Sequence, residues 1–156
     1  MKFNLYIDMD GVLADFDEYV TQANGGVHPD DDGTSVWKHI KPGSFEAFPM
    51  MHDAHILWDY VNKFDPTIMT ATGHSVKTVG AEKSRWAMHH LGWPWVFTCQ
   101  DGKDKIRMID HKDYHRSILV DDRAKAIDPW VEAGAIGILH ISATETIEQL
   151  KKILEK

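Results

Sequence analysis

Five short runs of apolar residues along the chain have the length and composition of β-strands. They cover residues 3–7, 67–69, 95–98, 118–120 and 136–139. Most of these runs are continuous rather than alternating between apolar and polar positions, which is typical of strands buried on both faces of a parallel sheet. The pattern therefore predicts five strands in one parallel sheet.

Segments with helical spacing separate the first three of these runs. Residues 53–64 carry apolar side chains on one helical stripe. Residues 81–91 are followed by Gly92, and glycine commonly follows the last turn of a helix. We therefore expect one helix before the second strand and another before the third.

Two more helices are predicted near the end of the chain. Asp128 followed by Pro129 is typical of an N-cap and first turn, with Gly134 as the end of that helix. Ser142 and Glu145 have the spacing of a capping box, and apolar residues follow at helical intervals. Because strands and helices alternate, the chain is predicted to be an α/β protein with a parallel sheet.

One interval is longer than a simple crossover requires. A strand–helix–strand crossover can close with about a dozen residues, and the chain between Ile7 and Thr67 is much longer. We expect one domain with its core in residues 1–14 and 65–156. The remainder, approximately 15–64, is predicted to form a small cap.

Composition and charge exclude several classes of protein. The 156 residues are 43% hydrophobic and 26% charged, which is typical of a folded domain. The net charge of −7 argues against binding to long nucleic acids or anionic membranes, and no apolar run approaches the ~18 residues of a membrane span. A single cysteine, Cys99, excludes an internal disulfide and favours a reducing, cytoplasmic location.

Acidic side chains follow two of the predicted strands directly. Asp8 and Asp10 come after the first strand, and Asp121 and Asp122 come after the fourth. Parallel sheets bind ligands at the carboxyl ends of their strands, so these carboxylates are expected to converge. Two such charges ~4 Å apart repel by ~4 kcal/mol at an effective dielectric constant of 20. A divalent cation removes this repulsion, and hard oxygen ligands favour Mg²⁺; ordinary turn aspartates are the alternative.

A candidate phosphate site lies between the two acidic pairs. Thr70 and the backbone of Ala71 follow the second strand, where a hydroxyl and free N–H groups can bind phosphate oxygens. Lys83, Lys103 and Lys105 follow, and one of them could add a positive charge. A solvated helix face is the alternative for any one of these lysines.

These motifs resemble those of the haloacid dehalogenase (HAD) superfamily of phosphatases. The stretch Asp8-Met9-Asp10-Gly11-Val12 resembles its first motif, D-x-D-G-[TV], and Thr70 resembles the second. The third motif is a lysine, for which Lys105 is the first choice and Lys103 the second. The acidic fourth motif resembles Val120-Asp121-Asp122. The resemblance implies a three-layer, Rossmann-like sheet flanked by helices, with a small helical cap inserted after the first strand.

A narrower resemblance is to the 5′(3′)-deoxyribonucleotidases. The opening Asp10-Gly11-Val12-Leu13-Ala14-Asp15-Phe16 is similar to theirs, and Glu82-Lys83-Ser84-Arg85-Trp86 resembles their E-K-x-x-W helix. Val120-Asp121-Asp122-Arg123 matches their D-D-R stretch. This likeness implies hydrolysis of nucleoside monophosphates, whereas the cap and residues 101–116 match poorly.

The resemblance also implies a role for each residue of the site. Asp8 would be the nucleophile that forms an aspartyl-phosphate, and Asp10 would be the general acid and base. Mg²⁺ would be held by Asp8, the backbone carbonyl of Asp10 and Asp121, with Asp122 on a metal-bound water. Phosphate oxygens would be bound by Thr70, Ala71, Lys105 and Lys83.

Aromatic residues in the expected cap are candidates for contact with a nucleobase. Phe16, Trp37 and Phe45 lie between the first two motifs, and stacking on a base contributes roughly 1–3 kcal/mol. The alternative is that they form the core of the cap.

Two other functions remain open: a phosphatase for another substrate, such as a sugar phosphate or a polynucleotide 3′-phosphate, and a non-catalytic module that binds phosphate or Mg²⁺. A homodimer is also left open.

Overall fold

Five parallel strands form one sheet in the order β3-β2-β1-β4-β5. The computed structural model describes residues 1–74 and 76–156. The strands are β1 (Asn4–Ile7), β2 (Thr67–Ala71), β3 (Val96–Cys99), β4 (Ser117–Asp121) and β5 (Ile136–Leu139). All five strands predicted from the apolar runs are present, and the predicted parallel pairing is confirmed.

The central position of β1 creates a crevice at the carboxyl end of the sheet. From β1 the chain builds outwards through β2 to β3, then crosses back to place β4 on the other side of β1. The strand order therefore reverses between β1 and β4. In parallel sheets such a reversal leaves a crevice outside the strand ends, where ligands bind.

In the described part of the chain, four α-helices lie between the strands and a fifth follows the last strand, together with short 3₁₀ segments. The α-helices are α1 (Phe16–Ala23), α2 (Ala54–Val61), α3 (Val79–Leu91), α4 (Ala124–Glu132) and α5 (Ala143–Leu154). The 3₁₀ segments are Pro29–Asp31, Val36–His39, Ser44–Glu46, Asn62–Phe64, Gly102–Met108 and His111–Arg116.

The predicted helix starts meet with different outcomes. The predicted N-cap of α5 at Ser142 is confirmed, since its Oγ accepts a hydrogen bond from the backbone N–H of Glu145 at 3.3 Å. The predicted start of α4 at Asp128 is wrong, because Arg123 is the N-cap and Pro129 lies inside the helix. A proline inside a helix removes one backbone hydrogen bond. The packing of α4 on the sheet holds the helix despite that loss.

Helices cover both faces of the sheet, giving three layers. On one face Leu5 and Ile7 belong to a core cluster with Trp86 and side chains of α2, α3 and α5. On the other face Tyr6 packs against Trp130 of α4, with ring centroids 5.7 Å apart. This alternation along β1 follows from the pleat of a strand. The three-layer α/β architecture is thus confirmed.

The long connection between β1 and β2 contains α1, α2 and four of the 3₁₀ segments. Within the range 15–64 predicted as a cap, α2 packs against α5 of the core layer, and the carboxylate of Asp53 accepts a hydrogen bond from the N–H of Ala143 at 2.7 Å. The division into core and cap stays a prediction. Among the described residues, no helix combines the length and apolar character that crossing a bilayer requires.

Candidate active site

A tight turn after β1 carries the first two acidic residues. The N–H of Asp8 donates to the carbonyl of Val120 at 2.9 Å, so this residue continues the pairing of β1 with β4. The carbonyl of Met9 then accepts hydrogen bonds from the N–H groups of Leu13 and Ala14 at 2.8 and 2.9 Å. The chain therefore folds back immediately after Asp10.

Gly11 brings this turn into contact with the loop after β4. Its φ of +83° lies in the left-handed region, which side chains other than glycine rarely adopt. A Cβ atom on Gly11 would lie 2.2 Å from Oδ2 of Asp122. Only glycine allows the two acidic loops to approach this closely.

Three carboxylates converge at the crevice between β1 and β4. Asp8, Asp121 and Asp122 each offer an oxygen, and these oxygens all lie within 4.8 Å of one another. The ammonium of Lys105 donates to Oδ1 of Asp8 at 2.8 Å and to Oδ2 of Asp121 at 2.6 Å. Lys103, the second candidate from the sequence, is exposed. Of these two lysines, the fold brings Lys105 to the carboxylates.

The carboxylates after β4 have raised pKa values. Burial, reinforced by the charge of Asp8, raises the pKa of Asp121 to about 6. Partial burial and the charges of Asp8 and Asp121 raise the pKa of Asp122 to about 7. Burial alone would lower the pKa of Lys105, but the charges of Asp8 and Asp121 outweigh it and raise that pKa. The cluster thus holds more negative charge than the lysine compensates.

A second ion pair lies beside the first. The ammonium of Lys83 donates to Oδ2 of Asp10 at 2.8 Å, to Oγ1 of Thr70 at 2.7 Å and to the carbonyl of Ala71 at 2.6 Å. The other carboxylate oxygen of Asp10, Oδ1, is buried and has no hydrogen-bond partner within the described part of the chain. Lys83 therefore holds the carboxylate of the candidate acid/base residue through one of its two oxygens.

The charges of the site fit a divalent cation. At full ionisation the four aspartates and two lysines leave two negative charges uncompensated. The ligand atoms are carboxylate oxygens, which suit Mg²⁺. The carboxylate of Asp10 lies outside the group of three and faces Lys83. A contribution of Asp10 to a metal site would therefore come from its backbone carbonyl.

The candidate aromatic residues form one packed group. The ring of Phe16 lies 5.8 Å from that of Trp37 and 5.6 Å from that of Phe48. Phe45 packs on Phe48 at 4.9 Å and is only 5% exposed, whereas Trp37 is 56% exposed. Phe45 thus contributes to the core, and Trp37 presents the most open aromatic surface of the three candidates.

Helix α3 ties the segment around residue 45 to the core, an arrangement that the helical pattern alone did not predict. The buried carboxylate of Glu82 accepts a hydrogen bond from the N–H of Phe45 at 3.1 Å. Nε1 of Trp86 donates to the carbonyl of Phe48 at 2.8 Å. With Lys83 bonded to Asp10, the E-K-x-x-W stretch joins α3 both to the turn after β1 and to the segment around residue 45. In the sequence this stretch was noticed only through its resemblance to the nucleotidases, and no physical argument predicted these contacts.

The fold is that of HAD-like hydrolases. Similar solved structures include a hydrolase from Streptococcus pneumoniae TIGR4, with a TM-score of 0.59 and 16% identity over 100% of both chains. A predicted phosphatase from Clostridium acetobutylicum has a TM-score of 0.61 and 11% identity, also over 100% of both chains. A HAD family enzyme from Bacteroides thetaiotaomicron, solved as a magnesium complex, has a TM-score of 0.52 and 16% identity over 95% of this chain and 97% of that one.

The sequence comparisons add no closer relationship. No protein-family model and no curated protein matches the chain. At 11% to 16% identity, the structural likeness establishes the fold.

Proposed function

We propose that the protein is a magnesium-dependent phosphomonoesterase that acts through an aspartyl-phosphate on Asp8. The observation that carries this proposal is the presence of two separately anchored carboxylates at one crevice. Asp8 is paired with Lys105, and Asp10 is paired with Lys83. Such a pair supplies a nucleophile and a distinct proton carrier.

In the first step, a carboxylate oxygen of Asp8 attacks phosphorus. The bond between phosphorus and the ester oxygen breaks, and protonated Asp10 gives its proton to the leaving alkoxide. The products of this step are the free alcohol, the aspartyl-phosphate and ionised Asp10.

In the second step, water attacks the phosphorus of the aspartyl-phosphate. Asp10 takes one proton from the water as the new P–O bond forms and the bond to Asp8 breaks. Phosphate is released, Asp8 returns to its carboxylate form and Asp10 is again protonated. Atoms and charges balance over the two steps.

Phosphate oxygens would be bound by Lys105, the hydroxyl of Thr70 and the backbone of Ala71. Lys105 uses two of its three N–H groups on Asp8 and Asp121, which leaves one for a phosphate oxygen. Asp8, the backbone carbonyl of Asp10, Asp121 and Asp122 would hold Mg²⁺. When bound, this ion neutralises charge that develops on the phosphoryl group.

The presence of Asp10 favours a phosphatase over a dehalogenase on the same fold. Expulsion of a halide needs no proton donor, whereas an alkoxide leaving group does. A second carboxylate anchored beside the nucleophile suits the second reaction.

We further propose a nucleoside monophosphate as the substrate. Trp37 offers an exposed ring beside Phe16, which directly follows the acidic turn, and aromatic rings stack on nucleobases. A sugar phosphate would gain less from this surface. A polynucleotide 3′-phosphate is disfavoured by the net charge of −7.

The direct test is phosphate release from a panel of nucleoside and sugar monophosphates, with Mg²⁺ and with EDTA. We expect turnover with Mg²⁺, loss of turnover with EDTA, and loss of turnover in Asp8→Asn. Asp31→Asn is the matched control, since Asp31 is exposed, lies in the 3₁₀ segment Pro29–Asp31 and is not one of the three clustered carboxylates. Equal rates with Mg²⁺ and EDTA, or full activity of Asp8→Asn, would refute the mechanism. Phosphate or Mg²⁺ binding without turnover would instead identify a binding module.

A further inference from the structure

The buried lysine of α3 has no hydrogen-bond donor left for a substrate. An ammonium group has three N–H donors and no acceptor. In Lys83 all three are directed to protein acceptors, namely Asp10 Oδ2, Thr70 Oγ1 and the carbonyl of Ala71, at 2.6 to 2.8 Å. Its side chain is 2% exposed. A phosphate oxygen could bind Lys83 only by displacing one of these partners.

Lys105 differs from Lys83 in this respect. Its ammonium contacts two acceptors, Oδ1 of Asp8 and Oδ2 of Asp121. Within the described part of the chain, one of its three donors therefore remains for a phosphate oxygen. The two buried lysines of the site are therefore suited to different tasks.

The bonds from Lys83 orient the two groups that it holds. Oδ2 of Asp10 is held by the ammonium, and the buried Oδ1 has no hydrogen-bond partner among the described residues. The hydroxyl of Thr70 accepts from Lys83 and keeps its own hydrogen for another acceptor. The single bond from Lys83 thus sets the orientation of the Asp10 carboxylate, and the Thr70 hydroxyl can still donate.

The position of Lys83 is itself held from several sides. The ring of Phe45 lies 5.2 Å from its ammonium. The neighbouring Glu82 binds the N–H of Phe45, and the fully buried Trp86 binds the carbonyl of Phe48. These contacts fix the rotation of α3 about its axis, so the ammonium has little freedom to turn towards a ligand.

We propose that Lys83 is a positioning residue that fixes the carboxylate of Asp10 for proton transfer to the leaving group, and that it does not bind phosphate. This inference rests on the proposed phosphomonoesterase function. It assigns Lys83 a role different from the phosphate contact predicted from the sequence.

If Lys83 positions Asp10 for proton transfer, the loss of rate on replacing Lys83 should depend on the leaving group of the substrate. As the bond from phosphorus to the ester oxygen breaks, an alkoxide must receive the proton from the carboxyl group of Asp10. A p-nitrophenolate leaves as a stable anion and needs no such proton. Loss of the positioning contact should therefore slow the hydrolysis of an alkyl ester much more than that of p-nitrophenyl phosphate.

The experiment compares Lys83→Gln and Lys83→Met with wild type on a nucleoside 5′-monophosphate and on p-nitrophenyl phosphate. Misplacement by about 1 Å costs on the order of 100-fold in rate, so we expect kcat for the nucleotide to fall by about that factor. The fall for p-nitrophenyl phosphate should be less than about tenfold, since general acid catalysis contributes roughly 10²–10⁴-fold where it operates. Inhibition by inorganic phosphate should change little.

Lys105→Gln provides the contrast within the same site. Because Lys105 keeps a donor for phosphate, this variant should slow both substrates and weaken inhibition by phosphate. If Lys83→Gln behaves in the same way, Lys83 is a phosphate ligand and the proposal is overturned. An equal loss on both substrates would also overturn it. A wild-type protein that hydrolyses neither substrate would instead reject the proposed phosphatase function itself.

A structural measurement covers the case in which the Lys83 variants fail to fold. In crystals of the wild-type protein with inorganic phosphate, we expect Lys83 to keep its bonds to Asp10, Thr70 and Ala71. A phosphate oxygen within hydrogen-bond distance of the Lys83 ammonium would refute the inference without any variant.

Discussion

Replacing Gly11 by alanine should damage the candidate metal site more than it damages the fold. The substitution places a methyl group in a left-handed backbone conformation, at φ +83°. For a residue with a side chain, that conformation costs about 1–2 kcal/mol. For a domain of this size, each kcal/mol lowers the melting temperature by about 2–4 °C.

The second effect of Gly11→Ala is local. The new Cβ would lie 2.2 Å from Oδ2 and 2.6 Å from Cγ of Asp122, so this carboxylate must move away from the cluster. Displacing a group that supports a metal site typically reduces affinity 10–100-fold, which corresponds to about 1.4–2.7 kcal/mol. We therefore expect the Mg²⁺ dissociation constant to rise by about that factor.

Gly33→Ala separates the two effects. Gly33 has a similar φ of +75°, but nothing lies within 4 Å of the position of its Cβ. Both variants should melt at a lower temperature than wild type in EDTA. In a calorimetric Mg²⁺ titration only Gly11→Ala should bind more weakly. If both variants bind Mg²⁺ as wild type does, Asp122 does not support the metal and the reasoning is refuted.

Three further predictions concern pH, packing and substrate contact. Burial raises the pKa of Asp121 to about 6 and that of Asp122 to about 7. Because the folded state then binds more protons than the unfolded state, the metal-free protein should lose stability as pH rises from roughly 4 to 7. Thermal melts should then show a larger Mg²⁺-induced gain at about pH 8 than at about pH 5.5; equal gains would contradict this. Trp86→Phe leaves the carbonyl of Phe48 unpaired and should lower the free energy of unfolding in urea by about 1–3 kcal/mol, whereas Trp37→Phe, at an exposed ring, should not. Trp37→Ala should raise KM for a nucleotide roughly 5–150-fold, from the 1–3 kcal/mol of one stacked base, and leave KM for a sugar phosphate unchanged; equal changes would argue against base stacking.

The central strands were predictable because continuous apolar runs mark strands that are buried on both faces, whereas the edge strands β3 and β5 are partly exposed. Each residue of β4 is buried, and the apolar run 118–120 marks all of this strand except its two ends. The start of α4 was missed because Asp128 and Pro129 have the local pattern of a helix start, whereas packing on the sheet extends the helix to Ala124. Tertiary contacts outweighed local preference there.

The acidic loops were predictable for a similar reason, since residues after parallel strands must meet at one edge. The choice between lysines was not predictable. It depends on the path of the 3₁₀ segment Gly102–Met108, which buries Lys105 and exposes Lys103. The contacts of Lys83 depend on the rotation of α3 about its axis. Trp86 helps to fix that rotation through its hydrogen bond to the carbonyl of Phe48.

A crystal structure of the protein with Mg²⁺ and beryllium trifluoride, which mimics a phosphoryl group on a carboxylate, would test directly whether Asp8 is the nucleophile. We expect the mimic on an oxygen of Asp8, with the ion between Asp8 and Asp121 and the ammonium of Lys105 on a fluorine. An ion bound elsewhere, or a mimic attached to any residue other than Asp8, would contradict this expectation.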